Sequence, residues 1–261
     1  MTNTSTEHSF TQAIVRLPAP NFAQGLTTVS LGEPDFALVL EQHARYCEAL
    51  EECGLSLTVL DPDPDHPDST FVEDTAIVTP HRAVITRPGA SSREGEAAAM
   101  RTILRRFYPS LAEITAPATL DGGDICETGE CFFLGVSHRT NHEGARQLAA
   151  VLDAPSAIID IRAMTSILHL KSGISSIGDN TLVVIDELAG NELFHGYELI
   201  RVNARENYAA NCVRVNDRVL IPAGYPLLTA ELEARGFHPL PLDMSEFQKM
   251  DGGLSCLSLR F

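Results

Sequence analysis

A short apolar run, a tight polar turn and a second apolar run recur along this chain, and that recurrence limits its fold more than any other feature. Phe71-Val72-Glu73-Asp74-Thr75-Ala76-Ile77-Val78 turns at Thr79-Pro80-His81-Arg82 and returns through Ala83-Val84-Ile85-Thr86. Asp124-Ile125-Cys126 turns at Thr128-Gly129-Glu130 and returns through Cys131 to Gly135. Gly173 to Ile177 turns at Gly178-Asp179-Asn180 and returns through Thr181 to Ile185; Asn211 to Val215 turns at Asn216-Asp217 and returns through Arg218 to Ile221. With Asp74, Asp124, Gly173, Asn211 and Ser255 as equivalent positions, the steps are 50, 49, 38 and 44 residues. Strand–turn–strand units at this period, with helical or irregular segments between them, predict an α/β propeller or array. The competing reading is an accidental series of hairpins. The fifth unit ends with the chain, after Asp251-Gly252-Gly253-Leu254-Ser255-Cys256 runs into a strand with Leu257, Leu259 and Phe261 at period two. Its missing partner is supplied by Ala13-Ile14-Val15-Arg16-Leu17, because pairing the two ends of the chain closes a ring and removes an open edge.

Between the units, Asp35 to Cys53 carries Ala37, Leu40, Ala44, Cys47 and Leu50 at three- and four-residue steps and predicts an amphipathic helix stopped by Gly54. Leu55 to Leu60 reads as a strand. Ser91-x-x-Glu94 and Thr140-x-x-Glu143 read as capping boxes that open helices toward Phe107 and Leu152, and Pro226 to Arg235 reads as a further helix. Asn21 to Ser30 is too rich in Thr and Gly for regular structure and is either a flap or a connection. Asp61 to Asp68 is an acidic, proline-rich loop. Residues 1–261 are expected to form one domain, with Met1 to Phe10 a loose tail.

The net charge of −16 argues against nucleic acid, which calls for basic patches. It suits a small cationic substrate, although solubility alone also accounts for it. No stretch approaches the roughly 18 apolar residues of a membrane span. Six irregularly placed cysteines, after a polar start without an apolar h-region, read as reduced thiols of a cytoplasmic protein.

If the ring forms, its turns bring Asp68, Glu73, Asp74, Asp121, Asp124, His169, Asp251 and Cys256 to one mouth. A carboxylate-rich pocket suits a guanidinium, whose planar fork of donors matches carboxylates. Cysteine, histidine and a carboxylate that orients the imidazole make up a nucleophilic triad by role. A bound cation about 4 Å from the sulfur contributes about 4 kcal/mol of gross attraction at an effective dielectric near 20, enough for the substrate itself to ionise the thiol. Each residue also has a plainer explanation: a cysteine on an apolar strand is ordinarily a small buried hydrophobe, His169 between two leucines an ordinary core histidine, and Asp-Gly-Gly a simple turn. Metal readings are weaker, since Cys126 and Cys131 flank a turn with no second pair and His138 and His142 are separated by the Thr140 box. No Gly-x-Gly-x-x-Gly or Walker pattern occurs.

Phe71-Val72-Glu73-Asp74, Thr119-Leu120-Asp121-Gly122-Gly123-Asp124, Arg139-Thr140-Asn141, His169-Leu170-Lys171, Ala209-Ala210-Asn211-Cys212 and Asp251-Gly252-Gly253-Leu254-Ser255-Cys256 together resemble the dimethylarginine dimethylaminohydrolase family of the guanidino-group-modifying (pentein) superfamily. The resemblance implies a five-bladed α/β propeller of ββαβ units around a central channel. It implies Cys256 as nucleophile, His169 as general acid and then base, and Asp121 as the triad carboxylate, a position where some members carry Glu. Glu73 and Asp74 match the acidic motif facing the substrate, Asp68 the residue holding the α-amine, and Arg93 and Arg139 the pair on the substrate carboxylate. Leu26, in Gly25-Leu26-Thr27, matches a lid residue whose backbone touches the amine. The implied reaction hydrolyses dimethyl- or monomethyl-L-arginine to L-citrulline and an amine through a covalent thiouronium, and the resemblance implies neither metal nor organic cofactor. The rivals are an arginine or agmatine deiminase of the same superfamily and a non-catalytic propeller that only binds.

Overall fold

A computed structural model describes residues 9–261. Most of the expected loose start therefore lies outside the described residues. Ser9 and Phe10 are not loose: both donate to Asn216 Oδ1, at 3.1 and 2.9 Å.

Five three-stranded sheets are formed among the described residues, and each repeats one plan. One strand runs antiparallel to a central one, and a third strand lies parallel on the central one's other side. In chain order the first four sheets are Ala76–Val78, Ala83–Ile85 and Leu111–Glu113; Ile125–Glu127, Phe132–Val136 and Ser156–Asp160; Ile174–Ser176, Thr181–Ile185 and Glu198–Val202; and Val213–Val215, Arg218–Pro222 and Pro239–Leu242. The fifth is assembled from both ends of the chain. Leu259–Arg260 pairs antiparallel with Gln12–Arg16, in the register Ile14 opposite Leu259, and Ser56–Leu60 pairs parallel with Gln12–Arg16. The expected closure between the ends is thus present, with Gln12–Arg16 as the return strand and a C-terminal strand of only two residues.

The parallel step in each unit needs a crossover. Helix α1 (Phe36–Glu52) supplies it in the fifth sheet, α2 (Glu94–Leu104) in the first, α3 (His142–Val151) in the second and α4 (Pro226–Ala234) in the fourth. In the third, a single turn at Glu192–Phe194 takes the helix's place. The hairpins close on residues suited to a left-handed backbone: Asn216 (φ +54°) in the fourth, and Asp179 and Asn180 (φ +48° and +55°) in the third.

Three expectations are corrected. The apolar run Phe71 to Val78 is not one strand; its first half is a 3-10 turn at Val72–Thr75. The same turn precedes the first strand of every unit, at Gly122–Asp124, Leu170–Ser172, Asn207–Ala210 and Ser255–Leu257. Consecutive turns pack on one another and the last packs on the first, so the candidate residues sit on turns at the centre and not on strands. Second, α1 buries Val39, His43, Tyr46 and Leu50, whereas Ala37, Leu40 and Ala44 are exposed. The large amphipathic rings win the core over small alanines, and Tyr46 keeps its hydroxyl satisfied on Ser258 Oγ at 2.6 Å. Third, neither capping box forms. Asp35 caps α1 and Asn141 caps α3 through Gly144 N–H, while Ser91 lies in a 3-10 turn ahead of α2. No helix among the described residues is long and apolar enough to cross a membrane.

Candidate active site

The turns converge on one cavity of about 30 Å³. Leu26, Asp68, Asp74, Arg93, Arg139, His169 and Cys256 all line it, and Phe71, Leu168 and Met250 supply its apolar wall. Of the nine residues to which the family resemblance gives a role, seven therefore meet there. Asp121 stands directly behind His169, and Glu73 is turned away.

Cys256 lies in the middle of the turn Ser255–Leu257, its N–H on the Gly253 carbonyl at 3.2 Å. It is half-buried, unlike the fully buried Cys53, Cys126 and Cys212. Burial, with the Glu73 and Asp74 carboxylates, pushes its thiol up to about 12, against the pull of the Gly253 contact and Lys171. With no cation in the cavity the sulfur is protonated at neutral pH.

His169 precedes the turn Leu170–Ser172 and is held by its Nε2, 3.0 Å from Asp121 Oδ2. Burial pulls the imidazole down, but Asp74, Asp124 and the Asp121 hydrogen bond outweigh it and raise the ring to about 9. The ring packs on bare backbone: a Cβ on Gly123 would come within 2.7 Å of His169 Nδ1. Asp121 is fully buried, and its Oδ1 accepts Gly89 N–H at 2.7 Å. An aspartate at this position therefore reaches the imidazole directly.

Asp74 accepts Gly123 N–H at 2.8 Å and Arg93 Nη1 at 2.6 Å. Burial opposes its ionisation, yet His169, Arg93 and the Gly123 N–H together hold it down to about 2. It stays charged inside the cavity. Asp68 accepts Leu26 N–H on both oxygens, at 3.0 and 3.2 Å, and burial raises its carboxyl above the ordinary range against Arg93 and that bond. Thr28, two residues on, gives its N–H and hydroxyl to Asp251, a cavity residue with φ +55°. The segment expected to be a flap or a connection is thus tied to the cavity at two carboxylates.

The two arginines differ. Arg93 is buried and bonds Glu96 through Nε and Nη2, Asp74 through Nη1, and the Phe71 carbonyl through Nη2 at 3.0 Å, which leaves one Nη1 hydrogen uncommitted. Arg139 makes one long ion pair among the described residues, 3.8 Å to Asp121, so its fork is open to an anion. Glu73 is the exception to the sequence reading. Its carboxylate bonds Lys171 Nζ at 2.5 Å and Ser255 Oγ at 2.8 Å, and it does not line the cavity.

Sequence reasoning assigned no role to several residues that shape the site. Glu96 neutralises Arg93. Asp124 accepts Ser137 Oγ at 2.7 Å and Leu170 N–H at 2.9 Å, which seats the histidine turn. Thr140, read as a helix cap, instead accepts Asp121 N–H at 3.0 Å. Asn211 entered the sequence reading as a repeat position and Lys171 as part of a family motif, neither with a role at the site. Asp74, Asp121 and His169 present donor atoms within 4.8 Å of one another, a spacing a metal could bridge. Both carboxylates are already bonded at each oxygen, to Gly123, Arg93, Gly89 and His169, so protein partners occupy the positions a metal would need.

The arginine deiminase family model matches residues 51–221. A dimethylarginine dimethylaminohydrolase of Pseudomonas aeruginosa is 43% identical over 97% of this chain and 100% of its own length, and one of Streptomyces coelicolor is 35% identical over 95% and 96%. Among solved structures, a cysteine-to-serine variant of the Pseudomonas enzyme complexed with citrulline superimposes with a TM-score of 0.94 at 42% identity, covering 97% of this chain and all of that one. With its five-unit fold and a Cys–His–Asp cavity, the chain belongs to the dimethylarginine dimethylaminohydrolase family of the guanidino-group-modifying (pentein) proteins.

Proposed function

We propose that this chain hydrolyses Nω,Nω-dimethyl-L-arginine and Nω-methyl-L-arginine to L-citrulline plus dimethylamine or methylamine, with Cys256 as nucleophile. The observation that carries the reading is the shared cavity. A half-buried thiol, an imidazole held charged and the carboxylates of Asp68, Asp74 and Asp251 line one small space, with the open fork of Arg139 at its side. The names of the close relatives, and the citrulline held by the Pseudomonas enzyme, support the same substrate class.

The chemistry follows from the charges. Asp74 faces the substrate guanidinium, Asp68 with the Leu26 backbone takes the α-amine, and Arg139 takes the α-carboxylate. A guanidinium about 4 Å from the sulfur contributes about 4 kcal/mol at an effective dielectric near 20, roughly a thousandfold in the thiol–thiolate equilibrium. Against a thiol at about 12, that lowers the titration to about 9; a minor thiolate fraction forms at neutral pH, its proton passing to solvent, and this thiolate attacks the guanidinium carbon. His169, protonated below about 9, gives its proton to the departing amine as the C–N bond breaks. The neutral imidazole then takes a proton from water, and the resulting hydroxide adds to the thiouronium carbon; the C–S bond breaks with its electron pair going to sulfur, the hydroxyl proton passes to the Cys256 thiolate, and citrulline is released.

Incubation with asymmetric dimethylarginine, followed by assay of citrulline and dimethylamine, tests the reading. Equal amounts of both products are expected. The arginine deiminase description of the matching family model favours one second reading, deimination of arginine itself. Ammonia from arginine, with no amine from dimethylarginine, would replace the first reading with the second.

A further inference from the structure

Four polar side chains directly behind Cys256 are spent on one another, and none of them lines the cavity. Ser255, the residue before the nucleophile, gives its N–H to Asn211 Oδ1 at 3.0 Å and its hydroxyl to Glu73 Oε2 at 2.8 Å. Asn211 Nδ2 donates one hydrogen to Ser255 Oγ at 3.1 Å and the other to the Lys171 carbonyl at 3.0 Å. Lys171 Nζ closes the circuit on Glu73 Oε1 at 2.5 Å. Glu73, Asn211 and Ser255 are buried, and the Asn211 amide lies so close to the last turn that a Cβ on Gly253 would stand 2.6 Å from its Cγ.

The circuit joins four of the five central turns. Glu73 comes from the first, Lys171 from the third, Asn211 from the end of the fourth and Ser255 from the fifth. The third turn is also the one that His169 precedes, so the same hydrogen bonds that seat the sulfur hold the imidazole's turn to it. The charges near the sulfur are shared between elements too: Glu73 and Asp74 on the first turn, His169 and Lys171 on the third, Tyr208 on the fourth, and Arg260 just beyond the fifth, 3.7 Å from Glu73.

We infer that Glu73, Lys171, Asn211 and Ser255 are positioning residues for Cys256. Asn211 and Ser255 fix the sulfur's place relative to His169, and the Glu73–Lys171 pair balances the charge its thiolate meets. Glu73 on this account serves the nucleophile and not the substrate. The inference rests on Cys256 being the reactive residue.

The test is the rate of alkylation of Cys256 by iodoacetamide across pH 6–11, read on the Cys256 peptide by mass spectrometry because Cys47 and Cys131 are also partly exposed; below a midpoint near 12 the rate follows the thiolate fraction, so a midpoint shift of one unit is read as about a tenfold change in rate at fixed pH. It runs beside kcat and KM for dimethylarginine. Lys171→Met leaves Glu73 without its ammonium partner and should move the alkylation midpoint to higher pH by about one unit or more. Glu73→Gln keeps the side chain's size and its bond to Ser255 and should move the midpoint to lower pH by a similar amount. Both should lower kcat about tenfold or more with KM within about threefold, as expected when geometry and charge at the reacting atom change but binding does not. Lys171→Arg should restore the midpoint. Glu73→Gln and Lys171→Arg preserve volume and hydrogen bonding, so these two decide the matter if Lys171→Met does not fold. Midpoints that stay at the wild-type value, or move the same way in both variants, overturn the inference. Alkylation needs no substrate, so opposite shifts in a protein inert toward dimethylarginine would sustain the network and sink the substrate assignment.

Discussion

Replacing Asp121 with asparagine removes a charge from behind the imidazole without changing the side chain's size. Asp121 Oδ2 stands 3.0 Å from His169 Nε2, and Oδ1 accepts Gly89 N–H at 2.7 Å. Opposite charges at that separation attract by about 5.5 kcal/mol at an effective dielectric near 20. The burial that disfavours imidazolium is unchanged by the substitution, so the ring's titration should fall from about 9 to neutral or below. At pH 8 the proton-donating form then becomes a minority, and its orientation is lost as well. Taking the loss seen for Asp→Asn in serine-protease triads as the scale, kcat should drop by about 10³- to 10⁴-fold. KM should stay within a few-fold, because Asp121 does not line the cavity. An asparagine oxygen still accepts from Gly89, but the stability that the raised His169 contributes near neutral pH goes with the charge, so the variant should lose about 3 kcal/mol at pH 7 and melt correspondingly lower. The assay is citrulline formation from dimethylarginine between pH 6 and 10. The basic limb, set near 9 by His169, should shift toward acid by at least one unit. A kcat within about threefold of wild type, with that limb unmoved, would refute the assignment of His169 as an acid governed by Asp121.

Cys256→Ser should abolish turnover while leaving the far-ultraviolet circular dichroism and the melting temperature close to wild type; full activity would remove the proposed nucleophile. Asp251→Ala releases Thr28 from its carboxylate, a loss of about 1–2 kcal/mol, and should speed iodoacetamide labelling of Cys256 roughly tenfold at a fixed pH. An unchanged labelling rate would show that this tether does not hold the loop over the cavity. Two histidines should shape the pH dependence of stability in opposite directions. His43 is held down to about 4 by burial, partly offset by a backbone hydrogen bond, so the unfolded chain binds a proton that the folded one refuses; stability should fall by about 3 kcal/mol as pH drops from 6.5 toward 4. His169, raised to about 9, contributes fully below 6.5 and loses its contribution as pH rises through 9. Urea unfolding should show the acid-side loss reduced in His43→Gln, and an identical acid limb in that variant would contradict the burial argument.

The repeat, its hairpins and the joining of the chain's two ends were all legible in the sequence, because they depend on local signals. Period-two apolar runs specify strands, Asn216 and the Asp179-Asn180 pair specify left-handed turns, and an open edge at each end of the chain favours their pairing. The motif residues also announced the chemistry, since cysteine, histidine and carboxylates each sit beside a turn in otherwise apolar surroundings. Sequence alone thus determined what the parts are and in what order they come.

Only the tertiary structure decided which way each side chain points. Glu73 and Asp74 are adjacent and of the same charge type, yet in a 3-10 turn of three residues per revolution neighbours diverge by about 120°. Asp74 therefore faces the cavity while Glu73 goes behind Cys256. Helix α1 buried the face carrying His43 and Tyr46 instead of the alanine-bearing one, because the space it fills needs large rings and Ser258 is there to satisfy the tyrosine hydroxyl. Thr140 became a support for Asp121 and not a helix cap, a bond made between residues 19 positions apart. Hydrophobic periodicity measures what a segment prefers, whereas these choices depend on what the neighbouring unit presents, and that exists only once the five units have met.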